Sequence, residues 1–504
     1  MKKRVLFSAI TIIAILLLLE FSARVLEMAF FKKISSYPAR PGWQTEFFKS
    51  FLDWHEPDPD LLWRFRANLD NPLIKTNSSY LLCNEISAKK DKTVFRILLL
   101  GDSSPVGIGL KSRHQAFGEL TRYFLETEYA GIKNFELVNA AVSGYTSEQI
   151  VRFLELHGWQ YQPDLIVLYC GNNDASISGN LSDRQLLENE KLKGLRQFFS
   201  PLALYRVMKN FLIIGKDTGS LATGSLKVRV SAEEYAENLK IIADQCQEHN
   251  CPLVILKPPV PLLWPAGLQF KVFLNGGDYG KVIFPEPMLA ILGSPLKYCL
   301  DRRRFQEIYG RGDIFTRNVY LSAYDDSLAP LTAISRYREL LRSDSGNAVI
   351  LNNLGVSYWQ NNQYADADHY LKLARNRFIQ LHKNNLDIMA ASAGSPFLFN
   401  IGIDLLSSAD RGETLLADTA GAPYHYLDSA LQADYFSLRI KREYWRKIDA
   451  LSGQKNITVT DLPVIFALHG GERLFIDHCH PTAEGHRLIA EALKGAIKNA
   501  NYIH

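Results

Sequence analysis

Four short clusters of chemically capable residues lie far apart in this chain: Gly101-Asp102-Ser103-Ser104, Ala141-Val142-Ser143-Gly144, Gly171-Asn172-Asn173-Asp174 and Asp477-His478-Cys479-His480-Pro481. Together they supply the parts of one acyl-transfer site. A serine hydroxyl is a weak nucleophile until a base within hydrogen-bond reach takes its proton. Ser103 is the candidate nucleophile and His480 the candidate base. Asp477, three residues before His480, can hold the imidazole tautomer and stabilise the charged ring. The Ser103 N–H, the Gly144 N–H and the Asn173 side-chain amide are donors suited to the negative oxygen of a tetrahedral intermediate. Each residue also has a plain structural use: Ser103 as a helix cap, Gly144 as a turn glycine, Asn173 as an Asx-turn former, Asp174 as a cap. Gly-Asp-Ser alone is common in loops. Four clusters in this order, three of them directly after strand-like runs, favour the joint reading.

On these residues the chain resembles the SGNH (GDSL-type) hydrolase superfamily, whose four blocks carry Ser, Gly, Asn and His. Ser103, Gly144, Asn173 and His480 match those positions, and Asp477 matches the acid of the family's Asp-x-x-His. The resemblance covers about Thr93–Val260 and Asn456–Asn499. The family's Gly-Asp-Ser-Leu reads Gly-Asp-Ser-Ser here, which leaves the nucleophile in place. The resemblance implies ester chemistry without a cofactor. It also implies a substrate class of O-acyl esters on carbohydrates or lipids, on which exported relatives often act. No metal-ligand spacing is evident. His478 is expected at the mouth of the site or in solvent, Cys479 as packing, and His486 as a buried polar contact.

Strand-like runs must position these clusters. Arg96–Leu100, Glu136–Ala140, Asp164–Tyr169, Pro252–Lys257 and Ile457–Asp461 are short, apolar and rich in Leu, Ile and Val, as strands buried on both faces are. Between them, Ser231–His249 has helical apolar spacing, with Ser231 and Glu234 forming a capping-box pattern. A last helix is expected over Pro481–Asn499, with Pro481 as its first residue. Alternating strands and helices predict an α/β fold, a doubly wound parallel sheet of the flavodoxin-like three-layer kind. Ligands of such sheets bind beyond the carboxyl ends of the strands, where the first three clusters fall.

Residues 261–455 interrupt that pattern as an insertion, and residues 456–504 complete the core begun at 93–260. Within the insertion, Leu354-Gly355, Tyr358, Ala367, Leu371 and Ala374 fall at tetratricopeptide-repeat spacing. One period upstream, Tyr324, Ala333, Tyr337 and Leu340 give a weaker match, and Ser343–Asn347 sits where a turn would be. An all-α, repeat-like region over 314–380 is expected. The alternative is a helical lid whose small residues only let helices pack closely. A protein partner could dock there, although two repeats make a small groove.

The 504 residues exceed one typical domain, and 47% hydrophobic with 22% charged residues describe an ordinary globular chain. The formal net charge of +4 and the absence of a basic patch give no sign of nucleic-acid binding. Lys2-Lys3-Arg4 precede an uncharged run from Val5 to Leu19. An uncleaved transmembrane helix over 1–23 is expected rather than a cleaved signal peptide, because Phe21-Ser22-Ala23 puts a bulky residue at the candidate cut. The basic tail favours a cytoplasmic N-terminus and an exported body, against Arg24, Lys32 and Lys33 on the other side of the run, and residues 24–92 are expected as an irregular juxtamembrane extension over the core. Cys246 and Cys251 could pair in an oxidising compartment. Two further functional readings stay open: an O-acyltransferase on the same site, and a membrane-anchored interaction or scaffold protein using the repeat-like insertion.

Overall fold

The computed structural model describes residues 17–25, 54–87, 90–179, 181–188, 202–204, 227–263, 329–343, 345–383, 388–408, 419–435 and 438–503, together with Phe7, Thr11 and Ile15. More than half of the expected anchor, Tyr324 of the weaker repeat and most of the insertion's first half fall outside these residues. Among the described residues no helix is long and apolar enough to cross a membrane.

The chain enters with a hairpin, β1 (His55–Asp58) against β2 (Leu62–Phe65). Then come β3 (Val94–Gly101), β4 (Asn134–Asn139) and β5 (Leu165–Tyr169). A small antiparallel pair follows, β6 (Ile177–Gly179) with β7 (Lys227–Val228). The sheet is completed by β8 (Leu253–Lys257) and β9 (Ile457–Asp461). Five of these strands form one parallel sheet in the order β4-β3-β5-β8-β9. Counted along the chain this is 2-1-3-4-5, the flavodoxin-like order, whose switch point lies between β3 and β5.

Period-2 alternation splits the core between the two faces. Ile97 and Leu99 face one side, with α2 (Phe117–Glu128) and α12 (Ala483–Asn499). Leu98 and Leu100 face the other, with α3 (Ser147–Leu156), α4 (Ala232–Glu248) and α10 (Arg442–Asp449). The predicted strands all form, but β9 is half-buried throughout because it is an edge strand. The capping box of Ser231 and Glu234 closes the start of α4 as expected. The last helix differs. Thr482, not Pro481, caps α12 through the Gly485 N–H, and Pro481 instead bridges to Phe475.

The extension is better ordered than its turn-rich sequence suggests. Phe65 and Ile74 are fully buried in the same core as Leu98, Val138 and Ile166. The residues before β9 also belong to the core. Ile440, Tyr444 and Ile448 pack with α4, although sequence patterning places them in the insertion.

The described part of the insertion is helical: α5 (Pro330–Ser343), α6 (Ala348–Gln360), α7 (Tyr364–His382), α8 (Ile388–Ser407) and α9 (Ala422–Ala433). Two short helices, α1 (Ser103–Val106) and α11 (Leu462–His469), follow β3 and β9. Leu354, Tyr358, Ala367, Leu371 and Ala374 are all buried. A Cβ at Gly355 would lie 2.8 Å from Leu371, so the glycine lets α6 and α7 approach closely.

Cys246 and Cys251 carry separate thiols, and the Cys251 thiol is directed to the Pro163 carbonyl (3.5 Å). Burial pushes Cys251 up to about 12, which disfavours its reactive thiolate.

Candidate active site

The sheet brings the four clusters together at its switch point. Ser103 opens α1 immediately beyond β3, and Asp102 caps that turn by accepting from the Ser104 N–H at 2.9 Å. Gly171–Asp174 follows β5, the neighbour of β3. Ser143 and Gly144 follow β4, on the other side of β3. The Asp477–His480 loop arrives from across the chain just before α12. The departure at position 104 has a structural use: the buried Ser104 hydroxyl donates to the Cys479 carbonyl at 3.4 Å, a long bond between the serine turn and the histidine loop.

The predicted catalytic residues form a continuous chain. His480 Nε2 lies 2.7 Å from Ser103 Oγ, and His480 Nδ1 lies 2.7 Å from Asp477 Oδ2. The other carboxylate oxygen of Asp477 accepts from the Cys479 N–H (3.0 Å) and the His480 N–H (2.8 Å). All of the hydrogen bonds to Asp477 favour its charged form. Although burial opposes that charge, His480 and His478 hold the carboxyl far below the usual range. For His480, burial opposes the charged ring, but Asp477 and then Cys479 outweigh it and raise the imidazole well above its ordinary value. We attribute the direction to the Asp477 carboxylate, which is in direct contact.

The oxyanion candidates flank the serine. Gly144 has φ 81°, a left-handed conformation suited to glycine. Asn173 is buried and gives one amide N–H to the Tyr145 carbonyl at 3.0 Å, which leaves its second N–H for a ligand. Its neighbours have supporting tasks. The Asn172 side-chain oxygen accepts from the Ile440 N–H (3.2 Å), which ties the third cluster to the core segment after the insertion. Gly171, at φ 124°, presses against the Ile440 side chain. Asp174 accepts from the Ser147 N–H (2.9 Å) and hydroxyl (2.5 Å) at the start of α3. Burial raises Asp174 to about 7, with the Ser147 bonds opposing the shift.

His478 is neither in open solvent nor on the serine. Its Nδ1 lies 3.7 Å from Asp477, and its ring meets His480 edge-on with centroids 5.9 Å apart. Cys479 is buried, with its sulfur 3.8 and 3.9 Å from the two ring nitrogens of His480. His486 is fully buried and accepts from the Phe117 N–H at 3.1 Å, with burial lowering its pKa to about 3. Among the described residues, Asp477, Cys479 and His480 present ligand-type atoms within 4.8 Å of one another. Within that group Asp477 Oδ2 and His480 Nδ1 are bonded to each other at 2.7 Å.

Two contributors were not singled out from sequence. Trp63 of β2 donates its indole N–H to the Ser143 carbonyl (3.0 Å), and Arg229 donates to the Gly144 carbonyl (2.8 Å). Arg229 is itself paired with the buried Asp183 at 2.7 Å. Neither residue lies in a recognisable motif. The alternating aromatics of Trp63-Arg64-Phe65-Arg66 are the nearest signal.

Residues 97–257, about a third of the chain, match the family described as GDSL-like Lipase/Acylhydrolase. The matched segment is thus similar to a GDSL-type hydrolase domain. The match contains Ser103, Gly144 and Asn173; Asp477 and His480 lie beyond it. No curated protein matches. Among solved structures, an alpha/beta hydrolase enzyme from the metagenome of Lake Arreo is 18% identical with a TM-score of 0.21, covering 33% of this chain and 61% of its own. The chain therefore spans about three fifths of that enzyme's length. A lipase from the goat rumen metagenome is 11% identical with a TM-score of 0.29, covering 80% and 97%. An acetyl xylan esterase variant from Geobacillus stearothermophilus is 16% identical with a TM-score of 0.21, covering 38% and 70%.

Proposed function

We propose that the protein hydrolyses O-acyl esters by a serine mechanism, with Ser103 as nucleophile, His480 as base and Asp477 as its orienting acid. The observation that carries this reading is the unbroken pair of 2.7 Å contacts from Ser103 Oγ through His480 to Asp477. The Ser103 proton passes to His480 Nε2 as Oγ bonds to the acyl carbon. The developing oxyanion is met by the N–H groups of Ser103 and Gly144 and by the Asn173 amide. Collapse breaks the bond to the alcohol, which leaves with the proton from His480. Water then enters by the same route in reverse, releasing the acid and freeing Ser103.

Carbohydrate or lipid O-acyl esters are the proposed substrates, and a sugar hydroxyl in place of water would make the same site an acyltransferase. The insertion leaves the core after β8 and returns at Ile440, whose N–H donates to the Asn172 side-chain oxygen beside the site, which supports a role in shaping substrate access. We further propose that its repeat-like helices α5–α7 form a tetratricopeptide-type docking unit. An uncleaved N-terminal helix would hold the body outside the cytoplasm, a reading supported by Lys2-Lys3-Arg4 before the apolar run. The ester class is tested by a panel running from short-acyl p-nitrophenyl esters to acetylated polysaccharide. Release of acid from at least one ester above the rate of a Ser103→Ala control supports the reading. Turnover of none counts against hydrolysis.

A further inference from the structure

The N-terminal hairpin reaches the oxyanion peptide itself. The indole N–H of Trp63 donates to the Ser143 carbonyl at 3.0 Å. That carbonyl and the Gly144 N–H belong to the same amide. A donor on the carbonyl fixes the plane of the peptide and polarises it, which strengthens the N–H on its other side as a donor. The contact is built from both directions. The Tyr145 hydroxyl donates back to the Trp63 carbonyl at 2.7 Å, and the Gln149 amide donates to the Leu61 carbonyl at 2.9 Å. The indole also covers Gly144, where a Cβ would lie 3.3 Å from the ring. The Arg229 guanidinium stands 5.5 Å over that ring while donating to the next carbonyl, that of Gly144. Successive carbonyls at 143 and 144 are thus each held by a side chain from outside their own loop.

We propose that Trp63 is a positioning residue for the reaction: its indole N–H orients and polarises the Ser143–Gly144 peptide so that the Gly144 N–H meets the developing oxyanion. The inference rests on the serine-esterase reading above and deepens it, because Trp63 lies in the extension, outside the matched segment 97–257. An oxyanion donor acts through preorganisation, so loosening its peptide slows the chemical step more than it weakens substrate binding. Loss of a whole donor costs about 10²- to 10³-fold in rate; leaving the donor in place but unanchored is expected to cost about tenfold.

The test uses the full chain and a small ester such as p-nitrophenyl acetate. Trp63→Phe removes the N–H but keeps an aromatic ring. Replacing Trp63 with β-(3-benzothienyl)alanine removes only the N–H at constant shape, and 5-fluorotryptophan retains it. The bonds from Tyr145 and Gln149 go to backbone carbonyls, so they survive these changes and the hairpin remains attached. The expected result is a kcat about tenfold lower for the Phe and benzothienyl variants, KM within about twofold, a cooperative melt only slightly lowered by the lost hydrogen bond, and wild-type kcat with 5-fluorotryptophan. The benzothienyl variant is decisive if Trp63→Phe folds poorly. Wild-type kcat in that variant overturns the proposal, as does a raised KM at unchanged kcat, which would make Trp63 a binding wall. If a fluorophosphonate fails to label Ser103 in the wild-type chain, the esterase reading beneath the proposal falls, and that failure is separate from either outcome.

Discussion

Replacing Asp477 with asparagine removes one charge and reverses one hydrogen bond. One carboxylate oxygen of Asp477 accepts from two backbone N–H groups, those of Cys479 (3.0 Å) and His480 (2.8 Å). In Asp477→Asn those two donors hold the amide oxygen on their side. The NH2 must then face His480 Nδ1, where the carboxylate now accepts at 2.7 Å. A donor opposite Nδ1 forces the ring proton onto Nε2, so the ring presents N–H to Ser103 and can no longer take its proton. Loss of the correct tautomer in a serine triad costs about 10⁴-fold in kcat, or about 5 kcal/mol at 1.36 kcal/mol per decade. A second signature follows from the charge. Asp477 raises His480 well above the ordinary imidazole value, so the wild-type kcat/KM should climb with pH along a limb above about 6.5. Without the carboxylate, the limb of the residual activity should move to lower pH. The assay is kcat/KM for p-nitrophenyl acetate from pH 5 to 9 on both proteins, with circular dichroism to verify the fold. A loss smaller than about tenfold, or an unmoved limb, would refute the assigned role of Asp477.

Asn173→Ala should lower kcat by about 10²- to 10³-fold with KM little changed; if Asn172→Ala does this and Asn173→Ala does not, the amide facing the oxyanion has been assigned to the wrong asparagine. His486 is held neutral by burial with a pKa of about 3, whereas the unfolded chain protonates it near 6.5, so its contribution to stability is complete above about 6.5 and is lost as pH falls toward 3. Between pH 7 and 5 urea melts should therefore show the wild type losing about 2 kcal/mol more than His486→Gln, and equal losses would show that burial of this ring is not the source of acid sensitivity.

What could be read from the sequence was what local pattern controls. Each sheet strand is a short apolar run with a turn at its end, so β3, β4, β5, β8 and β9 were recognisable, and the clusters at their ends followed. The Ser231 cap was legible because both partners of a capping box lie within four residues. The first residue of α12 was not, because both Pro481 and Thr482 are favoured at helix starts and tertiary pairing of Pro481 with Phe475 decided between them. The hairpin was missed for a related reason. Phe65 and Ile74 show no periodicity, and their burial comes from contacts with strands more than twenty residues away in sequence. Trp63 finds its partner at Ser143 across a long stretch of chain, with no local signal. Likewise α10 is a short amphipathic helix after a long insertion, and only its packing against α4 shows that the core has resumed before β9.

The account's central claim is that Ser103 is the residue that takes the acyl group. Its most direct test is to treat the full chain with a fluorophosphonate, map the adduct by peptide mass spectrometry, and repeat the treatment on Ser103→Ala. The account predicts one adduct on Ser103, concurrent loss of ester turnover, and neither labelling nor turnover in Ser103→Ala at an unchanged melting temperature. Labelling of Ser104 or Cys479, or turnover that persists in folded Ser103→Ala, would contradict it.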